Sequence, residues 1–446
     1  MSHIDFLLDR LKETGESDAL AMQEDVISGD RLYEEVTKAN TSLVEKGVKR
    51  GDVVVLHGDF SINSIAYLLA LINLSTIVVP LTAKTKVNVD EQLHELDPDF
   101  LIDTYSNVSI IEYDFGADKH AYIKQLIHTG KPGIILYTSG SSGKPKAVVH
   151  DFSKLLKKFE HRRPSLRTLN FLLFDHWGGL NTLLHSLSNN SMLVLPDVDR
   201  SPDKICHLIE KYKIELLPAT PSFLNILALS GALSRYDLSS IRVISYGAEP
   251  MPESTLQNLV KYFPEVDFRQ TYGMIELGVL RAKSKSNDSL WVKLGGEGYN
   301  LRVLDGILQI KSESSMLGYI DAETPITEDG YFITGDMAEQ DGEYFKILGR
   351  KSDIINVGGQ KVYPSEVETV LLQIDGVDDA SVVGEPNPLL GNIIVARILP
   401  AEGVDENELI RKIKRECAQK LQSFMVPTRV KISKDALQNH RLKRQR

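Results

Sequence analysis

Short apolar runs alternate with longer amphipathic stretches through the first 290 residues of the chain. Residues 53–56 are continuously apolar, and residues 76–80 contain the apolar run Ile-Val-Val, which predicts buried strands. Residues 3–14, 29–47 and 61–72 place apolar side chains at helical spacing. Further strands are predicted near residues 192–195, 214–217, 242–245 and 267–270. Alternating strands and helices predict an α/β fold with layered, mainly parallel sheets.

The pattern changes between residues 290 and 348. Short strands at 301–304, 307–310 and 344–348 are joined by Gly and Asp turns, which predicts a small antiparallel or barrel-like subdomain. A domain boundary is expected near residues 349–353. The α+β pattern that follows predicts a small C-terminal domain, in which Ser365 is the expected N-cap of a helix.

Composition is that of an ordinary soluble globular protein, with 446 residues, 42% hydrophobic and 25% charged. The formal net charge of −10 argues against general nucleic-acid binding. Cys206 and Cys417 suggest neither a disulfide framework nor a zinc site, which fits a reducing cytosol. We expect a cytoplasmic protein with no membrane span, because the N-terminal residues lack a signal pattern and the apolar stretch 65–79 is interrupted at Asn73.

One polar loop lies between the apolar runs 133–136 and 147–150. Glycines let backbone N–H groups approach an anion closely, and hydroxyl and ammonium groups add donors. These are the properties of a phosphate-binding loop, although a flexible Ser/Gly linker has a similar composition. The loop is not a Walker A motif, because Pro145 follows Gly143-Lys144. Its candidate phosphate ligands are Thr138, Ser139, Gly140, Ser141, Ser142, Gly143, Lys144 and Lys146.

Four further segments follow the loop: YGAEP at 246–250, TYGMIE at 271–276, TGD at 334–336, and GRKSD at 349–353 running on to NVGGQKVYPSEVE at 356–368. With these segments in this order, the chain resembles the superfamily of adenylate-forming enzymes. That superfamily includes acyl-CoA synthetases, luciferases and the adenylation domains of peptide synthetases. The resemblance spans residues 30–446. It implies a large N-terminal adenylation core over residues 1–349, a hinge at 350–353 and a small mobile C-terminal domain over residues 354–446.

The resemblance also implies roles for three charged residues. The loop would hold the β- and γ-phosphates of ATP, while Glu276 would help to place Mg²⁺, a cation that favours carboxylate, phosphate and water oxygens. Asp336 would hold the ribose hydroxyls, and Arg350 would make a second ribose or phosphate contact. Taken alone, Glu276 would be interpreted as a surface acid and Asp336 as a turn residue.

The resemblance implies that Gly247 and Ala248 line the adenine site, since a flat base can lie against the backbone of small residues. Tyr272 would pack near the base or ribose, although an isolated tyrosine is more often a core residue. The set of nucleotide residues is completed by Gly247, Ala248, Glu249, Thr271 and Gly273.

The segment FDHWGG at 174–179 contains the candidate residues for binding the acid substrate. In peptide-synthetase adenylation domains an Asp here grips the amino group of the substrate, as Asp175 would. In acyl-CoA synthetases a His-x-Gly-Gly pattern places a His near the acyl carboxylate, as His176 would. Gly178 and the glycine after it favour the acyl-CoA-synthetase interpretation. Trp177 would either line the acid pocket or belong to the core.

Three positions depart from the family pattern. Ile275 replaces the usual Thr and removes a hydroxyl donor to the α-phosphate, so either another donor compensates or the reaction is slower. Ser352 replaces the usual hinge Asp or Lys, and a small polar residue can still absorb a rotation. Either Arg441 or Lys443 takes the role of the family's C-terminal catalytic lysine, and the alignment does not decide which of them it is.

The leading hypothesis is an AMP-forming acid–thiol ligase. It would use ATP to activate a small carboxylic acid as an acyl-adenylate, and would then form a thioester with coenzyme A or with the phosphopantetheine arm of an acyl carrier protein. One alternative is a stand-alone protein that adenylates an amino acid and loads it on a carrier. Another is a nucleotide-binding protein that has lost catalysis.

Overall fold

The computed structural model describes residues 2–23, 25–83, 96–113, 116, 118–138, 145–197, 199–296, 298–434 and 437. The chain divides into two units, which we call the first and the second unit. The first unit consists of Met1–Pro218, Gly273–Val279 and Ser312–Pro325. The second unit consists of Ala219–Tyr272, Leu280–Lys311 and Ile326–Arg446.

The first unit contains a sheet of seven described strands. Its centre is parallel, and the strand Val53–His57 lies between two parallel neighbours. The two edges are antiparallel, and at one of them Gly318–Tyr319 pairs with Lys146–Asp151. The strand order is Gly318–Tyr319, Lys146–Asp151, Gly133–Thr138, Ile77–Leu81, Val53–His57, Phe100–Asp103 and Ser109–Glu112.

A second sheet of the first unit is parallel except at one edge, where Asp18–Met22 pairs antiparallel with Asp25–Ser28. The other strands, in order towards that edge, are Leu216–Ala219, Thr168–Leu169 and Leu193–Leu195. The short strands Gly273–Met274 and Gly278–Val279 form a separate antiparallel pair. The described helices of the first unit are Asp5–Thr14, Gly29–Glu45, Ile62–Asn73, Ala121–Thr129, Phe152–Glu160, Trp177–Ser188 and Pro202–Tyr212.

The second unit contains a parallel pair, Val243–Tyr246 with Asp267–Gln270. Six strands between residues 282 and 350 form a sheet whose described pairings are antiparallel, as the sequence predicted for this region. Its strand order is Ala282–Ser284, Trp291–Leu294, Tyr344–Arg350, Phe332–Asp341, Ile307–Ser312 and Tyr299–Leu304. The α+β region of the second unit has a further sheet. Its described strands are Gln360–Val362, Ile355–Val357, Gly391–Pro400, Val377–Asn387 and Arg429–Ile432.

One helix of the second unit begins at a side-chain cap that is followed by a proline. Thr220 caps the helix Pro221–Leu229 by accepting a bond from the N–H of Phe223, and Pro221 follows at the first helical position. Its other helices are Glu253–Tyr262, Pro364–Leu371 and Glu406–Lys420, and the described 3₁₀ turns are Ala232–Ser234, Lys351–Asp353 and Ser423–Met425. Within the described ranges, none of the helices combines the length and the apolar character that crossing a membrane requires.

The predicted N-cap at Ser365 is wrong. The helix starts at Pro364 after Tyr363, which makes no side-chain capping bond. Proline begins the helix because its φ is already helical and its missing N–H has no partner to lose at that position. The hydroxyl of Ser365 instead donates to the carbonyl of Leu348, 3.1 Å away.

Candidate active site

The predicted phosphate-binding loop joins two antiparallel strands of the first unit. Thr138 ends one strand and faces Lys146, which begins the next. The ammonium group of Lys146 lies 5.0 Å from the centre of the Tyr319 ring. The two ends of the loop therefore occupy a defined strand register. The loop residues Ser139, Gly140, Ser141, Ser142, Gly143 and Lys144 lie outside the described residues.

Glu276, the predicted Mg²⁺ ligand, is 8% exposed in the turn between two short paired strands of the first unit. Its Oε1 accepts a hydrogen bond of 2.7 Å from the hydroxyl of Tyr319. The backbone carbonyl accepts a bond from the N–H of Met316. Among the described residues, none bonds to Oε2. A carboxylate with one oxygen anchored and one available fits a metal ligand that a neighbouring side chain orients.

The backbone beside Glu276 is held by a buried histidine. Nε2 of His150 donates to the carbonyl of Ile275 across 2.6 Å, and His150 is only 1% exposed. Burial lowers the pKa of His150 to about 4, so the ring is neutral at neutral pH and its proton lies on Nε2. Ile275, which stands where the family has Thr, is itself buried at 7% exposure.

The predicted acid-binding residues lie at the start of the helix Trp177–Ser188 in the first unit. His176 is its N-cap, and its Nδ1 accepts a bond from the N–H of Gly178. Asp175 is 4% exposed, and its Oδ2 accepts a bond of 3.1 Å from the hydroxyl of Thr82. Trp177 is 2% exposed and packs edge-on against Phe152, as a core side chain does.

In the second unit the predicted ribose ligand, Asp336, is 8% exposed. Its carboxylate accepts a bond of 2.6 Å from the hydroxyl of Tyr272 and lies 2.9 Å from Nε of Arg350. Arg350 faces Asp336 across two paired strands and also donates to the carbonyl of Thr334. Burial, followed by the charge of Asp336, raises the pKa of Tyr272 well above its usual value, so Tyr272 is a hydroxyl donor at neutral pH.

The predicted adenine segment follows the strand Val243–Tyr246. A Cβ at Gly247 would lie 2.6 Å from the carbonyl oxygen of Thr271, so only glycine allows this close approach. Ala248 has a φ of 70°, which is unusual for a residue with a side chain. Glu249 Oε2 accepts bonds from the hydroxyl and the N–H of Ser222. Gly273, in the first unit, approaches the carbonyl of Gly278 just as closely.

Four contacting residues were not singled out from the sequence: Thr82, His150, Ser222 and Tyr319. Each lies outside the recognised segments and meets its partner only through the fold. His150 ends the apolar run that follows the loop. A polar residue in a run that is otherwise predicted to be buried is the sequence feature that could have indicated it. The alternative catalytic residues Arg441 and Lys443 lie outside the described residues.

Asp336 and Glu276 are buried carboxylates held by neighbouring side chains, and both lie in the segments by which the chain resembles the adenylate-forming class. The model of the AMP-binding enzyme family matches residues 8–299, and that of the AMP-binding enzyme C-terminal domain matches residues 366–443. The chain belongs to the family of AMP-binding enzymes. This confirms the resemblance and the fold class predicted from the sequence.

Relatives of the chain include CoA ligases. The 2-succinylbenzoate–CoA ligase of Bacillus cereus (strain Q1) is 26% identical, with 95% of this chain and 93% of that protein covered. The anthranilate CoA ligase AuaEII in complex with anthranoyl-AMP is 21% identical, covers 98% of this chain and 94% of its own, and has a TM-score of 0.81. The o-succinylbenzoate CoA synthetase of Bacillus subtilis, in complex with the acyl-adenylate intermediate OSB-AMP, is 22% identical, covers 99% and 96%, and has a TM-score of 0.74. The predicted reaction class, AMP-forming acid–thiol ligation, is confirmed.

Proposed function

We propose that this chain is a cytoplasmic, Mg²⁺-dependent ligase that joins an aromatic carboxylic acid to coenzyme A through an acyl-adenylate. The aromatic class is supported by the substrates in the names of its relatives, 2-succinylbenzoate and anthranilate. Coenzyme A is supported as the thiol acceptor, in preference to a carrier protein, because the same names are those of CoA ligases.

The observation that carries this proposal in the chain itself is the environment of Asp175. A carboxylate that grips the amino group of an amino acid must present its oxygens to the substrate. Asp175 is buried, and one of its oxygens accepts a bond from Thr82. This arrangement supports a positioning role for Asp175 and, together with the substrates in the names of the relatives, favours an acid without an α-amino group over the amino-acid alternative. His176, which follows it at intermediate exposure, is the proposed neighbour of the acid carboxylate.

Each unit contains residues with a proposed role at the nucleotide. Asp336, oriented by Tyr272 and Arg350, would accept bonds from the ribose hydroxyls. The segment from Gly247 to Glu249 would lie against adenine, and the loop that ends at Lys146 would hold the β- and γ-phosphates. Mg²⁺ would be held through Oε2 of Glu276, and its charge would neutralise phosphate oxygens.

Two displacements complete the reaction. A carboxylate oxygen of the acid attacks the α-phosphorus, and the bond from that phosphorus to pyrophosphate breaks. The thiol sulfur then attacks the acyl carbon, the bond to the AMP oxygen breaks, and the thiol proton passes to solvent. We assign stabilisation of the first transition state to Lys443 or Arg441. The division into a core over 1–349, a hinge at 350–353 and a mobile domain over 354–446 is part of the same proposal.

The test mixes the purified chain with ATP, Mg²⁺ and a panel of aromatic acids, aliphatic acids and amino acids. Coenzyme A and a phosphopantetheinylated carrier protein are supplied in separate arms. We expect pyrophosphate release that depends on an aromatic acid, and an acyl-CoA detected by mass spectrometry. Pyrophosphate release that no acid stimulates contradicts the proposal. Turnover restricted to amino acids and the carrier, and abolished in Asp175→Asn, establishes the amino-acid alternative instead.

A further inference from the structure

Tyr319 contacts two residues with predicted roles at ATP, although it belongs to none of the recognised motifs. Its hydroxyl donates to Oε1 of Glu276 across 2.7 Å. The face of its ring lies 5.0 Å from the ammonium group of Lys146. The tyrosine is 7% exposed, so these two contacts define its orientation inside the first unit. Lys146 and Glu276 are 130 positions apart in the sequence, and both contact Tyr319.

The backbone around Tyr319 makes this placement rigid. Tyr319 pairs with Val148 in the strand that begins at Lys146. On either side of it, the N–H of Leu317 donates to Val149 and the N–H of Ile320 donates to Ala147. The preceding residue is glycine because a Cβ at Gly318 would lie 2.4 Å from the ring of Tyr122. The strand Gly318–Tyr319 is thereby locked to the strand that leaves the phosphate loop.

The main chain of Glu276 is held from two directions as well. His150, on the same strand as Lys146, donates to the carbonyl of Ile275, and the N–H of Met316 donates to the carbonyl of Glu276. Because backbone and one carboxylate oxygen are both anchored, the direction of Oε2 is determined by residues that do not touch it. A ligand oriented in this way binds its metal more tightly than one that must be ordered on binding.

We infer that Tyr319 is a positioning residue of the adenylation step, which orients the Mg²⁺-binding carboxylate of Glu276 through its hydroxyl and the phosphate-binding ammonium group of Lys146 through its ring. The inference rests on the proposed function. The two contacts are separable, because phenylalanine keeps the ring and loses the hydroxyl, whereas leucine loses both. A double-mutant cycle with Glu276→Ala, which removes the accepting oxygen, then isolates the hydroxyl contact.

The primary measurement is the affinity of Mn²⁺, used as a paramagnetic substitute for Mg²⁺, for the protein–ATP complex by electron paramagnetic resonance. Tyr319→Phe should weaken Mn²⁺ binding about 10- to 100-fold and leave ATP binding in the absence of metal unchanged. Tyr319→Leu should in addition weaken metal-free ATP binding about two- to fivefold, because Lys146 loses its aromatic neighbour. The control, Tyr122→Phe, removes a hydroxyl beside the same strand and should keep wild-type metal affinity.

In the Glu276→Ala background, Tyr319→Phe should cause no further loss of Mn²⁺ affinity. An equal loss in both backgrounds, wild-type Mn²⁺ affinity in Tyr319→Phe, or the same loss in Tyr122→Phe would each overturn the inference. Thermal unfolding of each variant verifies that it is folded. The titration needs no acid substrate, so it tests Tyr319 even if the panel shows no acid-dependent pyrophosphate release, a result that contradicts the proposed function alone.

Discussion

The smallest scale at which the proposed chemistry can be tested is the single side chain, and Asp336 is the clearest case. Its buried carboxylate is oriented by a protonated tyrosine and by a guanidinium group, Tyr272 and Arg350. A carboxylate offers about four acceptor positions on its two oxygens, which suits it to the paired hydroxyls of a ribose. The role of Asp336 therefore predicts a specific dependence on the sugar of the nucleotide.

We expect Asp336→Asn to raise the Kd for ATP about 10- to 100-fold, since a hydrogen bond to a charged group is worth about 1.5–3 kcal/mol. The wild-type protein should bind ATP more tightly than 2′-deoxy- or 3′-deoxy-ATP, and the variant should lose this discrimination. Isothermal titration calorimetry measures both effects. Asp341→Asn, at the exposed end of the same strand, is the control and should bind as the wild type does. A variant that still discriminates against the deoxy nucleotides would contradict the ribose assignment.

At the scale of the element, the end of the strand Val243–Tyr246 determines the shape of the proposed adenine site. Gly247 and Ala248 are adjacent, but the structural constraint on the residue type differs between the two positions. Gly247 needs the absence of a Cβ because of the carbonyl oxygen of Thr271, whereas Ala248 adopts a φ of 70° that glycine adopts more easily. Exchanging the residue types at the two positions should therefore have unequal effects on stability.

Gly247→Ala should lower the free energy of unfolding by about 1–3 kcal/mol and weaken ATP binding, because the strand end must shift away from Thr271. Ala248→Gly should leave the free energy of unfolding within about 1 kcal/mol of wild type, because relief of the left-handed alanine offsets the extra freedom of the unfolded chain. Urea-induced unfolding and ATP titration of both variants measure these effects. Equal destabilisation by the two changes would contradict the geometry of the turn.

At the scale of the whole molecule, the buried His150 makes stability depend on pH. Burial lowers its folded-state pKa from 6.5 to about 4, so between these values the unfolded chain takes up a proton that the folded chain does not. The contribution of His150 to stability is therefore fully present above pH 6.5. It is lost as the pH falls through this window towards 4, and the full loss is about 3 kcal/mol.

His150→Gln should flatten the dependence of unfolding free energy on pH between 6.5 and 4, although glutamine lowers stability at pH 7. Chemical denaturation over a series of pH values measures the slope. His161→Gln, which alters an exposed histidine of the same unit, should retain the wild-type slope. The assignment is incorrect if the two variants show the same pH dependence.

Much of the local structure was predictable. The predicted strand at 267–270 coincides with Asp267–Gln270, and the alternation of elements correctly indicated mainly parallel sheets. The wrong N-cap at Ser365 has a local reason, since Tyr363-Pro364 offered a proline start that competed with a serine cap. The candidate nucleotide residues were found because their motifs are short and contiguous. The contacts between these residues and the rest of the chain could not be predicted from the motifs.

The sequence by itself determined the family, the reaction class, most elements and the residue types available for chemistry, because periodicity, turn residues and motifs depend on neighbours along the chain. Only the tertiary structure decided which side chains meet. Tyr319 reaches Glu276 from 43 positions away, and Thr82 reaches Asp175 from 93. Such pairs depend on strand order and register, and a shift of one residue in a strand turns every side chain to the opposite face. The same long-range packing buries His150 beside Ile275 and thereby changes the proton affinity of a residue that looks ordinary in the sequence.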